Sequence, residues 1–360
     1  DCRGVRPEMS AQECADFSAG GVFLGEGELA QRMRQFDWSS TELGSPDTWP
    51  DSLKSVIRML LTTRYQMWMA WGPSLTFFCN DAYRPTLGVK FPWALGQPAS
   101  KVWSEIWPDI DPLIQHVMTT GEATYSEKML LFLERSGFAE ETYHTFSYSP
   151  LFGDNGKIAG MLCVVVEETE RVISERRLAT LSELASKSST AKTEPELFKN
   201  ICSSLADNSR DLPFTLTYVF SGDEAHLACA TGIEAGHPAA PPILTMQNSP
   251  WPLSEPYASG EIFLDEALAE RHANLPSPYW RRSSRQALIS PISSSGGKGG
   301  IAGFFIVGLN PFRPVDENYR SFIELVSGQI SAALASVRSY EAERKRAEAL
   351  AEIDRAKTNF

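Results

Sequence analysis

The sequence is short of several things, and each shortage removes a class of function. Basic residues are outnumbered, with 33 Lys and Arg against 45 Asp and Glu for a net charge of -12. No Lys/Arg patch interleaves with aromatics, so neither a nucleic-acid surface, which needs a basic footprint, nor a membrane-surface role is expected. No apolar run approaches the roughly 18 residues of a spanning helix; the longest, around 161–166 and 301–309, are of strand length. There is no GxSxG, HExxH, phosphate loop or dinucleotide fingerprint, and His116, His144, His226, His237 and His272 stand apart from one another. Catalysis by this segment is therefore not expected. The glycine-rich run 296–300 carries Lys298 with no Ser or Thr after it and lies between strand-like runs. That context makes it a hairpin tip rather than a phosphate cradle.

Cysteine is sparse and scattered. Cys2, Cys14, Cys79, Cys163, Cys202 and Cys229 form no CxxC pair and no metal-ligand spacing, so reduced, buried thiols are expected, with neither a disulfide framework nor a metal site. The first ten residues lack the basic and apolar regions of a secretory leader. A cytoplasmic location is the expectation.

What is present points to a two-domain α+β protein. The chain has 360 residues, 42% hydrophobic and 22% charged, which suits two cores plus connectors. Residues 1–36 read as an arm leading into a short helix. A helix follows over 51–63, started by Pro50 and Asp51, with Leu53, Val56, Ile57, Leu60 and Leu61 on one face. Apolar runs at 66–71 and 75–79, split by Gly72-Pro73, predict a hairpin. A helix over 109–120 precedes strand-like runs at 125–133, 141–150 and 157–167, the last two joined by Asp154-Asn155-Gly156. This order predicts a five-stranded antiparallel sheet with its helices on one face.

The stretch Phe77-Phe78-Cys79-Asn80-Asp81-Ala82-Tyr83 with Leu87-Gly88, and the exit Val166-Glu167-Glu168-Thr169-Glu170-Arg171, give residues 37–171 a resemblance to a PAS domain. Asn80 and Thr169 are expected to bond local backbone and fix where strand gives way to helix. The resemblance implies a sensor pocket on the concave side of the sheet. Trp68, Phe78, Trp103, His116, Tyr143 and Phe146 are its candidate lining residues, and Arg135, Glu140 and Glu141 could add polar contacts. His116 lies on the helix where haem-binding PAS domains carry their iron ligand, which makes haem an option. The bland alternative for the dense aromatics is core packing, and for His116 an ordinary partly buried histidine.

Residues 172–192 read as a connecting helix. Thr193-Glu194-Pro195-Glu196 then opens another helix with a capping-box pattern. The strand 214–220, and Ala302-Gly303-Phe304-Phe305-Ile306-Val307-Gly308 followed by Asp316-Glu317 and Phe322, resemble the two ends of a GAF domain, placed at 193–338. No bilin-type Asp-Ile-Pro signature occurs, and Cys229 is expected in the strand core. Segments 251–260 and 271–279 read as loops.

From 321 to 360 the chain reads as one long helix. Ile323, Val326, Ile330, Ala333, Val337 and Tyr340 form a seam spaced for a partner helix, and a second seam follows through Ala342, Ala349, Ile353, Ala356 and Phe360. The uncapped end looks like a connector. Asp354-Arg355-Ala356-Lys357-Thr358-Asn359-Phe360 is similar to the opening of the dimerisation helix of sensor histidine kinases, with residues 339–360 as signalling helix. The resemblance implies the cytoplasmic sensory region of a two-component kinase, possibly a hybrid one. It also implies a homodimer through its terminal helices, a phosphoacceptor histidine beyond Phe360, and downstream kinase and response-regulator partners. The signal would be a small-molecule ligand or a partner contact. A PAS–GAF module serving a cyclase or phosphatase, or a free-standing ligand-binding protein, are the alternatives.

Overall fold

A computed structural model describes residues 21–272, 275–294 and 300–358, without the side chains from 354 onward. The arm up to residue 20, most of the glycine-rich tip and Asn359-Phe360 lie outside the described residues. The chain divides into two compact units, Asp1–Val172 and Ile173–Phe360.

The first unit runs α1 (Glu28–Gln35), α2 (Asp51–Thr62), β1 (Met67–Trp71), β2 (Thr76–Cys79), α3 (Arg84–Leu87), α4 (Ala99–Val102), α5 (Trp107–Thr120), β3 (Thr124–Leu133), β4 (Glu140–Phe152) and β5 (Ile158–Glu167). The strands form one sheet in the order β2-β1-β5-β4-β3, antiparallel throughout. Successive side chains of a strand point to opposite faces. Trp68 and its partners Cys79 and Cys163 share one face; Met69, Phe78 and Leu162 share the other. On the second face Trp38 stacks on Phe78 at 4.9 Å and Trp49 meets it edge-on at 5.9 Å. Helical segments therefore cover both faces of the β1–β2 hairpin, where the sequence pattern had placed them on one. The reason is legible in hindsight: Met-Trp-Met-Ala-Trp and Thr-Phe-Phe-Cys are buried at every position, as in a strand covered on both sides.

Asn80 closes β2 and is almost wholly buried. Its amide donates to the carbonyls of Thr63 (3.1 Å) and Tyr65 (2.7 Å), while its oxygen accepts from the N–H groups of Met67 and Tyr83, both at 3.2 Å. One side chain thus ties the end of α2, the start of β1 and the turn after β2. Thr169 does the same at the other exit: its hydroxyl accepts from Tyr143 N–H at 3.0 Å and donates to Glu167 at 2.9 Å.

The second unit contains most of α6 (Thr169–Ser188), then α7 (Glu194–Ala206), β6 (Phe214–Ser221), β7 (Glu224–Thr231), β8 (Ile243–Thr245), α8 (Ser254–Ser259), β9 (Phe263–Asp265), α9 (Leu268–Arg271), β10 (Ala287–Ser293), β11 (Ile301–Gly308) and α10 (Glu317–Thr358). Its antiparallel sheet has the order β8-β7-β6-β11-β10-β9. A short helix thus stands at 254–259 where a loop was expected, and β9 lies two residues beyond the expected 261–263 strand. Gly303 is needed because a Cβ there would collide with the Tyr218 carbonyl of β6. One sheet face buries Val219, Leu288, Phe305 and Val307 against α7 and α10; the other buries Phe214, Tyr218 and Phe304 against Trp251 and Leu253.

Helix α10 starts at Asp316, whose carboxylate accepts from Tyr319 N–H at 2.8 Å, an N-cap bond. Its first seam is covered within this unit: Ile323, Val326, Ile330 and Val337 are buried in its own core. Helix α7 and the sheet together supply the apolar cover, where the spacing had pointed to a partner helix alone.

Asn80→Ala would take this partner from the part-buried carbonyls of Thr63 and Tyr65 and from the Met67 N–H, while Tyr83 N–H keeps the Asn80 backbone carbonyl at 3.0 Å. We expect a loss of about 2–4 kcal/mol in the unfolding of the first unit, measured by urea titration. A change below about 0.5 kcal/mol would contradict the anchoring role.

Candidate functional site

The expected sensor pocket exists only as a small cavity of about 30 Å³ under the α5 face of the first sheet, lined by Trp68, Trp103 and Phe146 together with Tyr83, His144 and Tyr148. Such a volume holds about one water molecule. Three of the six candidate residues converge here and three do not. Phe78 points to the opposite sheet face, onto Trp38. Tyr143, one strand position from His144, projects away from the cavity and donates its hydroxyl to Glu141 at 2.8 Å. His116 is 45% exposed, with Nε2 at 3.7 Å from Glu122, while its helix buries Ile110, Ile114 and Val117 instead. The residues do not fit a haem: the histidine faces water and the cavity is far too small. Arg135 is likewise engaged, in two bonds to Glu167 (2.7 and 2.9 Å) and one to Glu140 (3.0 Å).

His144 was not among the candidates, because a lone histidine in a strand-like run gives no signal. It is buried, its Nε2 lies 3.1 Å from the Thr142 hydroxyl, and that hydroxyl donates to the Leu131 carbonyl at 2.8 Å. Burial, above all, lowers its pKa to about 4; the Arg135 charge pushes the same way and Glu167 opposes.

In the second unit, the strongest concentration of buried polar groups surrounds Asp211, between α7 and β6. This carboxylate is fully buried. It accepts from Arg176 of α6 through Nε (2.7 Å) and a terminal nitrogen (2.8 Å), and from Asn208 at 3.0 Å; Arg177 Nε stands at 3.5 Å. Asn208 also donates to Thr180 of α6 at 3.0 Å. The Arg177 guanidinium lies 4.3 Å over the ring of Tyr319 and 5.3 Å over that of Phe322, on the first turns of α10. The Tyr319 hydroxyl donates to the Asp211 carbonyl and accepts from Asn310 N–H at 3.0 Å. Arginine doublets on charged helices are too common for the sequence to have flagged this site.

The expectation of reduced thiols is corrected for one pair. Cys202 of α7 and Cys229 of β7 are disulfide-bonded, with Cα atoms 5.7 Å apart across 27 residues. Cys79 and Cys163 are free and buried. The pairing joins a helix to the sheet beneath it, a tertiary contact that no local spacing announces. Closing such a loop stabilises by about 3–4 kcal/mol in the chain-entropy treatment.

No known protein-family profile matches the sequence, and no curated protein does. Among solved structures, the chain is similar to the GAF domain of an Acinetobacter phosphoenolpyruvate-protein phosphotransferase, at 15% identity and a TM-score of 0.35 over 45% of this chain and 94% of that one. It is also similar to a putative GAF sensor protein from Burkholderia vietnamiensis, at 12% identity and a TM-score of 0.36 over 46% and 92%. A fragment of a methyl-accepting chemotaxis protein matches at 17% identity and a TM-score of 0.35 over 44% and 99%. At these identities and scores the likenesses assign no function.

The native fold keeps His144 neutral, whereas an exposed histidine takes up a proton near pH 6.5. Stability from this residue is therefore fully present above about pH 6.5 and is lost as pH falls towards 4. Urea midpoints should decline over this window and flatten in His144→Gln. Equal slopes in both proteins would refute the assignment. The lowered carboxylate of Glu167 acts at lower pH, below its ordinary 4.5, so the two effects separate.

Proposed function

We propose that this chain is the sensory and transmission region of a histidine kinase, built from a PAS-like and a GAF-like unit. The observation that carries the reading is the two-part burial of α10. Its first half is sealed into the second unit's core through Ile323, Val326, Ile330, Leu334 and Val337. Past Tyr340 the helix is exposed, with Leu350 67% and Ile353 54% open to solvent. Apolar side chains repeating on a bare helix need a cover. A second copy of the same helix supplies one by symmetry.

Several features support the finer parts of this reading. Asn80 and Thr169 hold the strand exits of a five-stranded antiparallel sheet, as the PAS resemblance implies. The Asp211 cluster joins the arriving helix α6 to the departing helix α10 within the second unit, which suits a relay. A ligand or partner would act by favouring one of two packings at these helices. In this reading phosphotransfer is the work of a kinase domain and a phosphoacceptor histidine outside the sequence described. Among the described residues, no helix is long and apolar enough to cross a membrane.

Sedimentation of the full chain should show a dimer, and the double variant Leu350→Glu, Ile353→Glu should be monomeric with an unchanged melting temperature. A wild-type monomer at high micromolar concentration would overturn the dimeric relay.

A further inference from the structure

The second unit carries a groove of about 740 Å³ on its α7 side, bounded by α7, the β6–β7 hairpin and Arg338 of α10. Its size is that of a small-molecule site, unlike the water-sized cavity under the first sheet. The floor is apolar: Phe198, Val219 and Ala228 beside Cys202, whose disulfide to Cys229 pins α7 to β7 and holds the groove's shape. The rim is mixed in charge, with Lys199, Arg338, Glu194 and His226 around the opening. Lys199 has no acidic partner among the described residues. Glu194 accepts from Arg338 Nε at 2.8 Å, and Glu224 lies 3.7 Å from His226 Nε2. In a chain of net charge -12, an unneutralised lysine above an apolar floor is a local reversal of sign.

We infer that this groove binds a small amphiphilic organic anion, an aromatic or medium-chain carboxylate or sulfonate. Its apolar body would lie on Phe198 and Val219, and its acid group would meet Lys199 and Arg338. A headgroup at Arg338 competes with Glu194 for that guanidinium. Glu194 sits at the start of α7 and Arg338 at the last buried turn of α10, so ligand binding replaces a bond between the two helices. The site stands on its own lining; only its effect on α10 rests on the relay reading above.

The test uses the full chain and two fluorescent probes, anionic 8-anilinonaphthalene-1-sulfonate and neutral N-phenyl-1-naphthylamine. The sulfonate should bind saturably at one site and be displaced by octanoate. Lys199→Gln with Arg338→Gln should weaken the sulfonate about tenfold, the loss of a charge-assisted contact, and leave the neutral probe unchanged. Ala228→Trp should expel both, with circular dichroism and the melting temperature showing that the variant is folded. Equal weakening of both probes by the charge variants, or no weakening, would overturn the anion preference. Unchanged binding of both to Ala228→Trp would overturn the site. Hydrogen exchange of α10 in wild-type protein then separates the two readings: probe binding without altered protection around 334–345 retains the site and overturns its coupling.

Discussion

A carboxylate with no access to water keeps its charge only where cations and hydrogen-bond donors meet it. Asp211 is in that position, and Arg176, Arg177 and Asn208 are arranged to satisfy it. Removing one partner of such a buried pair typically costs about 3–5 kcal/mol, because the other charge is stranded. The requirement does more than stabilise. Both arginines come from consecutive positions of α6, so the helix can sit in only one register and rotation against the second unit. Arg177 then lies on the Tyr319 and Phe322 rings, and Tyr319 bonds the Asp211 backbone. The first turns of α10 are thereby set by the same residue that sets α6. A shift of either helix must break or rebuild one cluster, which is the property a two-state relay needs.

The two units divide the work of burial differently. The first fills its concave side with aromatic rings, leaving room for about one water, so its side chains pack as core. The second leaves a groove beside α7, where a surface lysine and the hairpin flank apolar floor residues. The inferred anion groove lies in the second unit, with α10 within reach through Arg338.

Much of the architecture was legible in the sequence, because local chemistry encoded it. Asn80 and Thr169 were read as strand-exit anchors and make those bonds. Thr193 caps α7 through Glu196 N–H, and the Asp154-Asn155-Gly156 turn joins β4 to β5 as expected. What was misread depends on distant partners. The α10 seam has helix-pairing spacing, but spacing alone does not say whether a sheet or a helix covers it. The strands at 67–71 and 76–79 were continuous in apolar character, a two-sided signal that Trp38 and Trp49 fulfil. His116 was weighed for its place on a helix, yet a 100° step per residue turns it away from the face that Ile114 and Val117 bury. Cys202–Cys229, Asp211 with its arginines, and His144 are all products of tertiary proximity.

The most direct test of the central claim, that α6 and α10 share one energetic unit through Asp211, is a double-mutant cycle of Arg176→Gln and Tyr319→Phe, measured by urea unfolding of the second unit. The two side chains act on different groups of Asp211. The account predicts an interaction energy of at least about 1 kcal/mol between the substitutions. Additivity within about 0.3 kcal/mol would contradict it, leaving the two helices independently docked.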